Sequence, residues 1–136
     1  MRNFLISIVF IFLNNANVHA ETRNIPGIEN TINGQMMAFL ENDFDKAFTF
    51  ASPNIKIIFK SPKNFGKMVK AGYPMVWRHK SVKFMEIRLE ADYVIQTVFV
   101  RDLKGNPFLL EYSMVELSDG WKIAGVRLVN TPSIGA

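Results

Sequence analysis

Apolar positions along the chain follow three regimes. Residues 4–13 are apolar except for Ser7, residues 25 to about 72 repeat at helical spacing, and from Ser81 onward the period drops to two. In the middle regime, Ile25, Ile28, Ile32, Met36, Phe39 and Leu40 fall on one face, which predicts an amphipathic helix over about 27–41. The Asn33-Gly34 pair is a weak spot in it, since a helical glycine costs about 1 kcal/mol against alanine. A second helix, capped by Asn42, is expected to turn Phe44, Ala47, Phe48 and Ala51 inward. Ser52-Pro53 and Ser61-Pro62 then repeat one start signal, a hydroxyl to cap the first turn and a proline whose fixed φ suits it. The first of these helices carries Ile55, Ile58 and Phe59. The second carries Phe65, Met68 and Val69, is stopped by Gly72, and is followed by a turn at Tyr73-Pro74.

The alternating regime predicts strands near 81–90, 93–101, 107–117 and 121–129, joined in part by hairpins at Lys104-Gly105-Asn106 and Ser118-Asp119-Gly120. Connections this short force antiparallel neighbours, so the strands form a meander. The apolar set of the first strand shifts from Val82 and Phe84 to Met85, Ile87 and Leu89, which predicts a bulge. The fold class is therefore α+β: short N-terminal helices packed on an antiparallel four-stranded sheet. In the third strand Phe108, Leu110, Tyr112 and Met114 share one face, and Leu109, Val115 and Leu117 the other, interrupted by Glu111 and Ser113. A sheet covered on one side only leaves its other side polar, so a homodimer packed through the open face is expected.

The opening run reads as a leader. Arg2 is a positive start, the apolar stretch is about half of the ~20 residues needed to cross a bilayer, and Val18-His19-Ala20 is a peptidase-type end. Cleavage after Ala20 is expected, leaving residues 21–136 as one domain in the periplasm or released outside the cell, with no membrane-spanning segment in that mature form. The absence of cysteine suits an oxidising space without proving one, and no Asn-X-Ser/Thr sequon occurs.

With 136 residues, 49% hydrophobic and 21% charged, the composition excludes collagen, extended disorder and a disulfide scaffold. The same inventory narrows the chemistry. After removal of the leader a single histidine, His79, remains, and neither a metal site nor a cofactor site is expected. Asp43 and Asp45 read as charges suited to a helix start. His79 sits between Arg78 and Lys80, whose charges favour its neutral form, with no nucleophile in view. Glycine-rich phosphate loops and nucleophile elbows are absent.

Charge is unevenly spread over a formal total of +4. From Lys46 through Met85 there is no Asp or Glu, against nine lysines and arginines. Lys56 and Lys60, and Lys63, Lys67 and Lys70, hold helical spacing, so they are candidates for a surface that meets an anionic partner such as lipid headgroups, an acidic glycan or an acidic protein. Nucleic acid is not expected, since no aromatic platform interleaves the lysines.

Phe50-Ala51-Ser52-Pro53, Ile55, Phe59, Pro62, Phe65, Met68-Val69, Gly72-Tyr73-Pro74, Val76 and Arg78, followed by Asp119-Gly120-Trp121, Ile123 and Gly125-Val126, resemble the DUF4864 family of bacterial proteins over residues 28–129. The resemblance implies an NTF2-like roll, in which helices fill the hollow of a curved antiparallel sheet, often around a conical pocket. It implies no reaction. Candidate pocket residues are Tyr73, Arg78 and Tyr112, with Tyr93, Glu111 and Asp92 as further polar groups; no pair stands at a recognisable catalytic spacing, and no catalytic residue is assigned. The favoured reading is non-catalytic binding of a small apolar ligand or a protein partner. The alternatives are a small pocket enzyme using Tyr or Asp as acid and base, and an assembly factor whose hollow is filled by its 12 Phe and seven Met.

Overall fold

Proline opens four of the five helices among the described residues: α1 (Pro26–Leu40), α3 (Pro53–Phe59), α4 (Pro62–Gly72) and α5 (Pro74–Trp77); α2 spans Phe44–Thr49. Each ring sits in the first turn, where its missing N–H would have no helical partner. The computed structural model describes residues 24–129, so the expected leader and cleavage site lie outside the described residues. Four strands follow the helices, β1 (His79–Glu90), β2 (Tyr93–Asp102), β3 (Pro107–Leu117) and β4 (Gly120–Val129), paired antiparallel in sequence order. The fold is α+β, with a curved, unclosed sheet.

Local chemistry shifts several expected details. Asp43, not Asn42, caps α2, its carboxylate accepting from the Lys46 N–H at 3.0 Å. Asn42 instead adopts φ 56°, a region asparagine tolerates, and turns its side chain toward Trp77 and Arg78. Ser61 caps α4 by accepting from the Asn64 N–H at 3.1 Å, whereas the Ser52 hydroxyl donates to the Asn54 side chain and caps nothing. Ile58 points to solvent rather than into the core. Tyr73-Pro74 does more than turn the chain: it starts α5, because Pro74 can open a helix as readily as it ends one.

The expected bulge in β1 is present. Phe84 faces Val98 and Ile87 faces Gln96, so β1 carries one extra residue there. Gln96, almost wholly buried, donates to the Met85 carbonyl at 3.2 Å and occupies polar groups that the broken ladder leaves unpaired. The register of β1 also slips between His79 and Ser81, and a further bulge lies in β4, where the register passes from Ser113 opposite Gly125 to Met114 opposite Ile123.

The core forms between α1 and one face of the sheet. Ile28, Ile32, Met36 and Phe39 meet Val98, Val100, Leu110, Tyr112, Met114 and Ile123. Each large side chain buried here contributes about 1.5–3 kcal/mol. Phe65 of α4 joins the helices, its ring centroid 5.3 Å from Phe48, 5.8 Å from Phe59 and 5.9 Å from Phe39. Backbone bonds stitch the helical half to the sheet: the Ser52 N–H donates to the Ile123 carbonyl at 2.8 Å, and the Ile123 N–H to the Phe50 carbonyl at 2.9 Å.

Candidate functional site: a cavity between the helices and β4

Strand parity decides what faces the helices. Tyr112 and Met114 turn inward with Val98 and Val100, so Glu111 and Ser113 turn outward, and on β4 Ile123 and Val126 complete the inner surface opposite Met114 and Tyr112. The helices do not fill the whole hollow above them. A cavity of about 220 Å³ remains, walled by Phe39 of α1, Ile55 and Phe59 of α3, Phe65, Met68 and Val69 of α4, Val76 of α5, and Ile123 and Val126 of β4. Ala51 and Gly125 leave room where larger side chains would close it.

Two polar side chains also reach this wall, and both are already engaged. Gln35, 3% exposed, donates from Nε2 to the Ala47 carbonyl at 3.1 Å. The Tyr73 hydroxyl donates to the Val126 carbonyl at 2.9 Å and fastens the end of α4 to β4. Tyr112 is fully buried opposite Val126, and its hydroxyl has no hydrogen-bond partner among the described residues. Burial, and secondarily the neighbouring Tyr73 phenol, push its pKa well above the usual phenol value, so it is a neutral donor at any physiological pH.

Of the residues singled out in the sequence, Tyr73 lines the cavity; Tyr112 does not, being buried in the sheet next to the wall residue Val126, and Arg78 stands outside. The Arg78 guanidinium donates to the Phe39 carbonyl at 2.6 Å, the Trp77 carbonyl at 3.0 Å and Asn42 Oδ1 at 2.9 Å, and stacks 4.1 Å from the Trp77 ring. It thus satisfies a terminal carbonyl of α1 with a positive charge, as a helix C-terminus favours. Tyr93 and Asp92 are exposed at the β1–β2 turn, away from the cavity wall.

Glu111 sits on the opposite sheet face, joined to Arg88 and Arg127 at 2.5 Å each, with Glu90 also 2.9 Å from Arg88. Burial raises the Glu111 carboxyl, but the hydrogen bonds from Arg88 and Arg127 outweigh it and hold the pKa below the ordinary value. His79 also lies below its usual value. The main cause is burial, partly opposed by the Val76 backbone, and not the flanking cations.

The lysines divide into two settings. Lys63, Lys67 and Lys70 of α4 share a surface groove with Asp43 and Asp45, and the Lys70 ammonium stands 5.0 Å from the Phe44 ring centroid and 5.4 Å from that of Trp77. Lys56 and Lys60 belong to α3 and its C-cap, beside exposed Ile57 and Ile58. Among the described residues no group of three or more His, Asp or Glu is placed to hold a metal ion, and no helix is long and apolar enough to cross a membrane.

Gln35 is the wall residue that sequence reading passed over. Its signal was present, since it stands three residues from Ile32 and four from Phe39 on the apolar face of α1.

The family model described as a domain of unknown function, DUF4864, matches residues 21–136, and the chain belongs to that family. Comparison with curated proteins and with solved structures gave no match.

Proposed function

We propose that this DUF4864 protein is a binding module that encloses a small apolar molecule between its helices and β4. The observation that carries this reading is the 220 Å³ cavity with its nearly continuous wall of Phe, Ile, Val and Met. Scaling from the ~150 Å³ hollow that accepts a benzene, it accommodates about nine non-hydrogen atoms, a short acyl chain or one substituted ring. Next to the wall residue Val126, the buried Tyr112 hydroxyl, without a partner among the described residues, leaves one donor for a water or ligand that brings an acceptor.

Binding is favoured over acid–base catalysis because the polar side chains at the wall, Gln35 and Tyr73, both donate to backbone carbonyls. That leaves, among the described residues, no pair of titratable groups converging on one bound atom. Two further elements belong to the same proposal. The helices seated on a curved four-stranded meander are read as an NTF2-like roll, and the chain as an exported protein cleaved after Ala20. A homodimer through the open sheet face is kept as its assembly, with sedimentation as the check.

The direct test is a methyl NMR titration of the protein with 1-heptanol. Saturable shifts at Ile55, Met68, Ile123 and Val126 are expected, and Val126→Phe, which fills the hollow, should abolish them. Shifts that grow linearly, or that persist unchanged in the filled variant, would overturn the reading.

A further inference from the structure

Helix α3 carries apolar side chains on both its inward and its outward side. Ile55 and Phe59, four residues apart, wall the cavity. Ile57 and Ile58 stand on the far side, 74% and 64% exposed. Scattered surface leucines are ordinary, but two adjacent β-branched residues held out on a seven-residue helix with no fully buried side chain form a small protruding apolar tip. Lys56 and Lys60 bracket that tip, and none of the four ion pairs found among the described residues engages either of them. The α4 lysines differ here, since Asp43 and Asp45 share their groove. No acidic residue occurs from Lys46 to Met85, so nothing within α3, α4 or α5 offsets the charge at the tip.

From this juxtaposition we infer that α3 docks on an anionic lipid bilayer, with Ile57 and Ile58 entering the headgroup boundary and Lys56 and Lys60 meeting the lipid phosphates. Apolar insertion and basic attraction are the two contributions by which short interfacial helices hold a membrane, and with two residues of each kind the binding is weak and reversible. A water-soluble acidic protein would match the lysines but would leave the isoleucines without apolar cover. The bilayer satisfies both at once.

The inference deepens the cavity reading and, for the identity of the cargo, rests on it. The helix that meets the bilayer is also the helix that walls the cavity. A short acyl or aromatic molecule leaving the lipid therefore reaches the hollow past Ile55 and Phe59 with little exposure to water. The source of the ligand is then the membrane itself.

The test uses the processed protein, residues 21–136, which contains the whole described fold, in cosedimentation with vesicles of equal phosphatidylglycerol and phosphatidylcholine. Binding is expected at 20 mM NaCl, falling at least tenfold at 200 mM, and much weaker on pure phosphatidylcholine. Ile57→Ser with Ile58→Ser should lower it tenfold or more while leaving thermal unfolding unchanged, and Lys56→Gln or Lys60→Gln should each lower it about fivefold. Equal binding by the double serine variant, or no binding to the anionic vesicles at low salt, would overturn the docking. So would sedimentation showing that the two isoleucines hold a second copy of the chain. Heptanol titration of the same samples separates the two readings: vesicle binding without heptanol binding removes the cargo and leaves the docking, and the converse removes the docking alone.

Discussion

The ring of Phe50 lies where a Cβ on Gly34 would have to be, with its Cζ only 2.7 Å from that position. Gly34 is therefore a seat for an aromatic ring and not a flaw in α1. Its intrinsic cost of about 1 kcal/mol is offset by the closer approach it permits. The same device recurs at Gly27 under Trp121 and at Gly66 under Phe44. Gly34→Ala is expected to destabilise the protein by about 1 kcal/mol despite the better helix former, because the half-buried Phe50 ring must move off its seat. Adding Phe50→Leu should recover part of that loss. Chemical denaturation of the two variants checks both statements, and a more stable Gly34→Ala would contradict the packing.

Tyr112 supplies a prediction in the opposite direction. Removing a buried hydroxyl that no group among the described residues satisfies should leave stability unchanged or raise it by about 1 kcal/mol, so Tyr112→Phe is expected to melt no earlier than the native protein. If the hydroxyl serves a cavity ligand, the same variant narrows the difference in affinity between 1-heptanol and heptane. Calorimetry and the two titrations read these effects separately.

Arg78 makes three hydrogen bonds around the end of α1, so Arg78→Ala should cost about 2–3 kcal/mol. Arg78→Lys should recover little, since an ammonium cannot spread its donors over the Phe39 carbonyl and the Asn42 side chain or stack on Trp77 in the same way. Heptanol binding at the cavity should survive Arg78→Lys.

Acid should weaken the fold in two windows. His79 is held below its ordinary pKa of 6.5, so the folded state favours the neutral ring; that contribution is complete above 6.5 and is lost as pH falls toward the folded value. Glu111 is held below 4.5, so its contribution is complete above that value and is lost as pH falls through the lower folded pKa. Arg88 and Arg127 are solvated, which keeps the contribution of the Glu111 network small. Melting temperatures of Glu111→Gln and His79→Gln measured from pH 8 to 3 should differ from the native curve above 4.5 and below 6.5 respectively. A native curve flat from pH 7 to 3 would contradict both.

Mass measurement of the protein recovered from outside the cytoplasm should give Glu21 as the first residue. Retention of residues 1–20 would remove the export proposal without touching the fold.

The alternation from Val94 to Val126 was readable because each strand keeps one face against α1, and the slip at Phe84–Ile87 announced its own bulge. Residue-level placement was harder wherever a long side chain or a single-residue choice decided it. Tyr112 and Glu111 both entered as pocket candidates, yet neighbours in a strand face opposite ways, and Glu111 finds its arginines on the outer side. Arg78 carries no local signal of its partners, since the Phe39 carbonyl and Asn42 lie almost forty residues earlier in the chain. In α3 the seven residues are too few for periodicity to choose between Ile55 and Ile58 as the inward side chain.

The bridge between Ala51 and Ile123 has a consequence for how the molecule lives among its own copies. By lying along β4, the Phe50–Ser52 segment occupies backbone groups that another chain would otherwise recruit. The remaining long border, β1, is kinked twice and carries Lys80, Lys83, Glu86, Arg88 and Glu90. A ribbon with one border pinned at its middle and the other bent and charged offers a poor template for a further strand.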